Sequence, residues 1–227
     1  MTDNQISIST YHEYILEAIR ALRIGLEYNK DAKLVSEEIG SDSAKMLGEM
    51  HCRYAFLMIA NSIEAAANAL LLSLDLVNDY YMELERISTL VKFKLFCDFC
   101  GKRLDQSDIK YSRIKEIITC RNEFVHPKPR KVNAKNEDIS SEFDLEVKMT
   151  QNRKYPTYIG MIKSVHVLSA LEDTLSFISW ICYDICEFDI QEGAFKLGLD
   201  VIQSNGDIIV IGEENNKLFD RRTFGIK

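Results

Sequence analysis

Residues 54–74 read YAFLMIANSIEAAANALLLSL, and this stretch decides the fold class. Alanine, leucine and methionine dominate it, and these residues favour helix strongly. The stretch is long enough to span a membrane, but Asn61, Glu64 and Asn68 interrupt it, and a carboxylate at mid-membrane costs roughly 2.5–3.5 kcal/mol. We therefore expect a buried helix of a soluble protein, running from about residue 43 to about residue 76, and no membrane partner.

The chain on either side of this helix also repeats apolar residues at helical spacing. Gly101 and Pro127 are helix-ending residues, and Asp105 or Ser107 is suited to cap the helix between them. Together with the helix at 43–76, the pattern predicts helices over 11–29, 78–99, 105–126 and 156–187. We therefore expect an all-α fold, a bundle of four or five long helices in up-and-down packing.

The C-terminal part carries two β signals. Residues 142–150 alternate apolar and polar side chains, which predicts a short strand. Two β-branched runs flank Asn205-Gly206, a pair that favours a type I′ hairpin turn. Residues from Pro127 to about 141 have no periodicity and predict a loop. We expect a helical bundle over 1–195, which includes this loop, and a small β-hairpin appendage over 196–227.

Composition bounds the function. The 227 residues carry a formal charge of −7, with 46% apolar and 28% charged residues, as in ordinary soluble proteins. Such a chain should not coat nucleic acid or anionic membrane indiscriminately. Residues 1–10 are polar, so we expect no signal peptide. Six cysteines in a chain that is not secreted indicate reduced thiols and a cytoplasmic location.

The segment RNEFVHP, residues 121–127, carries the candidate chemistry. Ile114, Ile117, Ile118, Phe124 and Val125 define the predicted buried side of its helix, and Arg121 falls on the same side. A guanidinium cannot lose its proton, so it needs a partner there. Asn61, Glu64 and Asn68 form one polar stripe at i, i+3 and i+7 on the apolar helix. We predict that Glu64 is the counter-ion of Arg121 and that Asn61 or Asn68 orders the rest.

The same region is the one basic part of the chain. Residues 110–135 hold eight basic and two acidic side chains, a net charge of +6, so the rest of the chain carries −13. A phosphate-rich ligand would be drawn to this region. The alternative is that the basic loop at Lys128–Lys135 is simply a solvated surface connection.

Arg-x4-His at the end of a bundle helix, here Arg121 to His126 with Asn122 and Pro127 beside them, resembles the motif of the HEPN superfamily. The helix around Ile63-Glu64-Ala65-Ala66-Ala67-Asn68 and the stretch Lys92–Pro129 resemble it too, so the resemblance covers roughly residues 40–130. The family consists of all-α bundles. Many members are metal-independent endoribonucleases, often toxins or parts of defence systems, and others are binding or scaffolding modules.

The resemblance implies the roles of particular residues. Arg121 and His126 would be the catalytic pair, and Asn122 would assist them. The charge pattern, independently of the resemblance, makes Lys128, Arg130 and Lys131 the candidate RNA-binding residues. The motifs of two protomers would share one cleft, which implies a homodimer, with an antitoxin or regulatory protein as a further partner. His126 would serve as general acid or base for attack by a ribose 2′-hydroxyl, with no metal or other cofactor, and DNA would not be a substrate.

Other interpretations of the same residues stay open. Arg121 could serve only as the structural ion-pair partner of Glu64, and His126 only as a C-terminal histidine that favours the helix dipole. The same residues are also suited to dimer formation. A non-catalytic module that binds RNA, a nucleotide or a protein partner is the main alternative function. Cys97, Cys100, Cys182 and Cys186 suggest zinc only weakly, because tetrahedral sites usually take cysteines from turns. The common nucleotide-hydrolase, dinucleotide, zinc-protease and serine-hydrolase motifs are absent from the sequence.

Overall fold

The computed structural model describes part of the chain. The described residues are 10–30, 41–74, 83–84, 86–126, 153–156, 159–189, 192–193, 197, 201–204 and 207–210. For residues 29, 30 and 41 and for the last two ranges, only the backbone is described. Within these ranges the fold is mostly helical, which confirms the all-α prediction.

Five α-helices form the described bundle. A 3₁₀ turn, Ile159–Met161, precedes the fifth, and a π-helical segment, Trp180–Ile185, continues it. The helices are α1 (Tyr11–Lys30), α2 (Ser41–Leu72), α3 (Thr89–Phe99), α4 (Ile109–Val125) and α5 (Ser164–Ser179).

Helix α2 is the centre of the bundle. It packs along α1 and also contacts α3, α4 and α5. Phe56, Ile59, Ile63 and Leu70 are fully buried, and small residues such as Ala66 let neighbouring helices approach closely. An apolar surface on several sides is what a helix surrounded by others requires. The stretch that predicted the fold class therefore lies in the core of the described bundle.

The ends of α3 and α4 follow from local capping. Gly101 has φ +70°, and the N–H groups of Gly101 and Lys102 donate to the carbonyls of Asp98 and Cys97. This is a Schellman cap, and it confirms that Gly101 ends the helix. Helix α4 begins after Asp108, whose side chain accepts a hydrogen bond from the Lys110 N–H at 2.7 Å. The predicted caps at Asp105 and Ser107 are therefore three residues and one residue too early.

The prediction of one continuous helix over 78–99 is wrong: residues 83–84 are helical, but the chain leaves the helix before α3 begins, and residues 78–82 and 85 lie outside the described residues. Residues 86–88 form a turn, and the helix begins only after Ser88, whose backbone is extended (φ −66°, ψ 147°). Serine is favoured at this position, directly before a helix, over a helix interior. The carbonyl of Ser88 accepts the first hydrogen bonds of α3, from Val91 and Lys92.

The prediction of one helix over 156–187 is wrong at its start, and its predicted end lies two residues beyond Ile185, the last residue of the π-helical segment. The chain after the 3₁₀ turn is extended at Lys163 before α5 begins. A tertiary contact fixes this turn, since Arg53 Nη2 donates to the Gly160 carbonyl at 3.0 Å. At the other end, the helix widens into the π-helical segment and stops at Cys186, and Glu187 takes a positive φ of 59°.

Two short strands follow the helices. Val201–Ser204 (β1) pairs antiparallel with Asp207–Val210 (β2), with Val201 opposite Val210 and Ser204 opposite Asp207. Residues 205–206, where the type I′ turn is predicted, lie outside the described residues, as do the loop at 127–141 and the strand at 142–150. The division into a bundle over 1–195 and a hairpin tail over 196–227 stays a prediction.

Candidate functional site

The candidate site lies at the C-terminal end of α4. Ile114, Ile117 and Cys120 face the core and hold the helix against the bundle. His126 is its C-cap, and its N–H donates to the Asn122 carbonyl at 2.9 Å. His126 leaves the helical conformation, with φ −125° and ψ 67°, as is typical of a residue that precedes a proline in sequence. The helix therefore presents Arg121, Asn122 and His126 at an end of the bundle.

Arg121 bridges α4 and α2. Its Nη2 lies 3.7 Å from Glu64 Oε2, and its Nη1 donates to Asn122 Oδ1 at 3.0 Å. The predicted pairing of Arg121 with Glu64 is confirmed. The prediction that Arg121 is buried is wrong, because the side chains of Arg121 and Glu64 are 29% and 43% exposed. The pair joins two helices at the surface, where water also solvates both charges.

The last turn of α4 is more exposed than its sequence predicts. Phe124 and Val125 were expected on the buried side, and this is wrong: they are 40% and 46% exposed. Asn122 and His126 are exposed as well. The buried side of α4 ends at Cys120, so the apolar pattern continues past the part of the helix that the described bundle covers. An accessible guanidinium, amide and imidazole therefore share this turn with two exposed apolar side chains.

The polar stripe of α2 divides between two neighbours. Glu64 pairs with Arg121, whereas Asn68 Oδ1 accepts a hydrogen bond from Lys92 Nζ of α3 at 2.7 Å. Lys92 is 1% exposed, so Asn68 serves the contact between α2 and α3. Asn61, one turn before Glu64, is half-buried. Of the three predicted supporting residues, Glu64 is the one that the structure places on Arg121.

The basic residues of 110–135 do not form one described patch. Lys110 Nζ lies 5.3 Å from the centre of the Trp180 ring, and Arg113 pairs with Glu116 at 3.2 Å. Lys115 is exposed. The predicted RNA-binding residues Lys128, Arg130 and Lys131 lie outside the described residues. Part of the basic charge on α4 is thus engaged in holding the bundle together.

A second polar cluster next to α4 was missed from the sequence. Asp173 of α5 accepts hydrogen bonds from Lys154 Nζ, at 2.9 and 2.8 Å, and from the Tyr155 hydroxyl at 2.5 Å. The Lys154 N–H donates to Glu116 of α4. Burial and the bond to Asp173 raise the pKa of Tyr155. These contacts hold residues 153–156 against α4 and α5. In the sequence, the cluster is marked only by the Lys-Tyr pair before Pro156, which does not indicate a contact with Asp173.

The six cysteines all lie in the described part of the chain, and none forms a disulfide. Burial raises the pKa of the Cys52 thiol to about 11. Among the described residues, no group of three or more His, Cys, Asp or Glu side chains has an arrangement that holds a metal ion. The polar side chains that the end of α4 presents include the Arg121 guanidinium, the Asn122 amide and the His126 imidazole.

What the arrangement can do chemically follows from these groups. An arginine binds phosphate oxygens through two parallel N–H bonds, and an imidazole carries protons near neutral pH. Both side chains are accessible on one helix end, and the ion pair that holds Arg121 is weak enough for a ligand to displace. Comparison of the chain with protein-family models, curated proteins and solved structures found no match.

Proposed function

We propose that the protein is a metal-independent endoribonuclease of the HEPN type that acts as a homodimer. The observation that carries the proposal is the accessible last turn of α4, where Arg121, held by Glu64 and Asn122, precedes an exposed C-cap His126. The Arg-x4-His motif of that superfamily stands at the same place, the end of a bundle helix. A toxin or defence role, with an antitoxin or regulatory protein as partner, belongs to the same proposal.

The proposed reaction is transesterification within RNA. A ribose 2′-oxygen attacks the adjacent phosphorus, and the bond to the 5′-oxygen of the next nucleotide breaks. His126 takes the proton of the 2′-hydroxyl or gives one to the leaving oxygen. Arg121 stabilises the charge that develops on the phosphoryl oxygens. The products are a 2′,3′-cyclic phosphate and a 5′-hydroxyl, and DNA is not a substrate because it lacks the attacking group.

In this proposal, Glu64 fixes the position of the Arg121 guanidinium before RNA binds. At 3.7 Å and with both side chains partly exposed, the pair contributes at most about 1 kcal/mol. A phosphate, which offers Arg121 bidentate bonds, competes with such a partner. Glu64 thus holds the guanidinium toward the α2 side until a phosphate replaces it. This makes Glu64 a positioning residue in the proposal.

The proposed location is the cytoplasm. Two described helical stretches, Asp42–Leu72 and Ser164–Ile185, are long and apolar enough to cross a membrane. Of the apolar 18-residue segment within each stretch, 56% and 50%, respectively, is buried inside the fold. Core helices of soluble proteins have the same length and composition, so we assign these stretches to the bundle core.

A non-catalytic module that binds RNA, a nucleotide or a protein partner is the second candidate. The observation that favours it is that, among the described residues, no contact orients the His126 imidazole for proton transfer, whereas Arg121 is held by Glu64 and Asn122. His126 interacts with Asn122 through its backbone rather than its imidazole. A binding module would need Arg121 but not His126.

The test is incubation of labelled structured and single-stranded RNA, and of DNA of the same sequence, with purified protein in EDTA. We expect cleavage of RNA alone, with 2′,3′-cyclic phosphate ends. Arg121→Ala should slow cleavage by on the order of 10²–10³-fold. Arg20→Ala is the matched control, because Arg20 is an exposed arginine on α1, paired only at 3.7 Å with Glu17. Binding of RNA without any cleavage by the folded protein would favour the second candidate instead.

A further inference from the structure

Three thiols meet where α3 ends and the π-helical segment ends. Cys97 lies in the last turn of α3, Cys100 is the C-cap of that helix, and Cys186 is the C-cap of the π-helical segment. The Cys186 thiol interacts electrostatically with the thiols of both Cys97 and Cys100. The sequence separates Cys186 from the other two by more than 80 residues, so the tertiary fold creates this thiol cluster.

The contact is held on both sides of Cys186 by its neighbours in sequence. Lys102 Nζ lies 2.8 Å from Glu187 Oε1, and the Phe96 and Phe188 rings meet edge to face with centres 6.0 Å apart. The backbone at Glu187 adopts φ 59°, which turns the chain back so that the Phe188 N–H donates to the Cys182 carbonyl. The cluster is therefore built into the junction between two elements and does not depend on one flexible side chain.

The three thiols differ in their access to solvent. Cys97 and Cys186 are buried, at 0% and 7% exposure, whereas Cys100 is half-buried. The arrangement is not one that holds a metal ion among the described residues. Two thiols in contact, one of them accessible, are the components of a reversible disulfide.

We propose that Cys100 and Cys186 form a modification site, at which a hydroperoxide converts the two thiols into a disulfide that joins α3 to the end of the π-helical segment. This inference is independent of the proposed RNA chemistry. The hydroperoxide oxidises the Cys100 thiol to a sulfenic acid and is itself reduced to water or an alcohol. The Cys186 sulfur then attacks the Cys100 sulfur, the S–S bond forms, and the sulfenic hydroxyl leaves as water with the Cys186 proton. A small thiol reverses the reaction by exchange.

The surroundings make this site slow to react. The hydrogen bond from Cys186 to Cys97, together with burial, raises the pKa of Cys186, and the interactions with Cys100 and Lys102 oppose the shift. Because the thiolate is the reactive form, we expect attack by Cys186 to be slow and the first oxidation to occur at the accessible Cys100. Sustained exposure to hydroperoxide, rather than a brief pulse, should therefore be needed to form the disulfide in most molecules.

The test is to treat the full chain with hydrogen peroxide, block the remaining thiols, and map cross-linked peptides by mass spectrometry with and without reductant. Cys97 and Cys100 share the peptide 95–102 after cleavage at lysine, so fragmentation must assign the linked sulfur. We expect a Cys100–Cys186 link that reductant removes. The link should fall at least tenfold in Cys100→Ser and Cys186→Ser and persist in Cys97→Ser.

Cys120→Ser is the matched control, since Cys120 is a buried thiol that contacts the Pro156 carbonyl and lies outside the thiol cluster. It should leave the link unchanged. Circular dichroism of the reduced variants shows which of them fold, and Cys186→Ala replaces Cys186→Ser if the serine variant does not. A link that persists in Cys100→Ser, or one that joins Cys52 or Cys120 in the wild type, would overturn the proposal. Oxidation that stops at sulfinic acid without any link would overturn it as well.

Discussion

At the scale of single residues, Arg121 differs from the charges that hold the fold together. Its pair with Glu64 is long and partly exposed, whereas Asp173 receives three hydrogen bonds and its side chain is 20% exposed. An exposed ion pair contributes little to stability, and a carboxylate with several charged and neutral donors contributes more. The fold therefore depends on Asp173 and leaves Arg121 available to a ligand.

Replacing Arg121 tests this difference directly. Arg121→Ala should lower the free energy of unfolding by less than about 1 kcal/mol, because it removes one exposed pair. Urea titration followed by circular dichroism measures the change. A loss of several kcal/mol would show that Arg121 serves the structure, as the purely structural interpretation of the motif requires.

Asp173→Ala should have the larger effect. It leaves the buried Tyr155 hydroxyl and the Lys154 ammonium without their acceptor, and we expect a loss of about 2–3 kcal/mol. The same urea titration applies, with Asp98→Ala as control, since Asp98 is an exposed carboxylate on α3. That control should change stability by no more than about 0.5 kcal/mol. Equal effects of the two variants would contradict the role given to Asp173.

At the scale of elements, the close contact between α1 and α2 depends on a glycine. A Cβ added at Gly25 would lie 3.0 Å from the Gly48 carbonyl oxygen and 3.1 Å from Cys52 Sγ. Alanine would favour the helix by about 1 kcal/mol. Overpacking against a backbone oxygen typically costs about 1–3 kcal/mol. The two helices can keep their distance only if this position has no side chain.

Gly25→Ala should therefore destabilise the protein by about 1 kcal/mol net, despite the gain in helix propensity. The urea midpoint measures the change, with Glu27→Ala as a control on the exposed side of α1. A variant more stable than the wild type would mean that α1 moves away from α2 at little cost.

The helices also show how much of the fold can be predicted from the sequence. Apolar spacing predicted α1 and α2 within a few residues of their ends, and Gly101 marked the end of α3 correctly. The start of α3 after Ser88 and the extended residue before α5 were missed. Local signals there are weak, and the Arg53 contact to Gly160, which fixes the turn before α5, joins residues 107 positions apart. Spacing does not reveal such contacts.

The same limit applies to the site. The stripe containing Glu64 predicted its pairing with Arg121, because a charge on an apolar helix needs a partner. The exposure of Phe124 and Val125 was not predictable, since apolar periodicity continues to the end of α4 whether or not a neighbour covers it. Which of Asn61 and Asn68 turns to another helix also depends on the packing of α3, which the sequence of α2 does not contain.

At the scale of the whole molecule, buried tyrosine and cysteine side chains make the stability of the fold depend on high pH. Burial is the main cause of the raised pKa of Tyr11 and of Tyr155, and it raises the pKa of Cys52 to about 11. The unfolded chain releases tyrosine protons near pH 10, and the native chain keeps them. The native state then binds more protons, so stability falls as pH rises.

We expect full stability from these groups below about pH 9 and a decline above it. Cys52 contributes between its unfolded value of 9.0 and about 11, and each tyrosine contributes up to about 1.4 kcal/mol per pH unit above pH 10. Unfolding in urea at several pH values from 8 to 11 measures the slope. Tyr11→Phe should flatten it above pH 10, and a wild-type stability that stays constant to pH 11 would contradict the argument.

The central claim is that His126 moves protons in RNA cleavage, and one rate comparison tests it most directly. Wild type and His126→Ala are compared in single-turnover cleavage of the same RNA in EDTA, with their urea midpoints measured on the same preparations. We expect a loss of at least about 10²-fold for His126→Ala, the usual contribution of a general acid or base, with an unchanged midpoint. Equal rates for the two folded proteins, or no cleavage by the wild type, would contradict it.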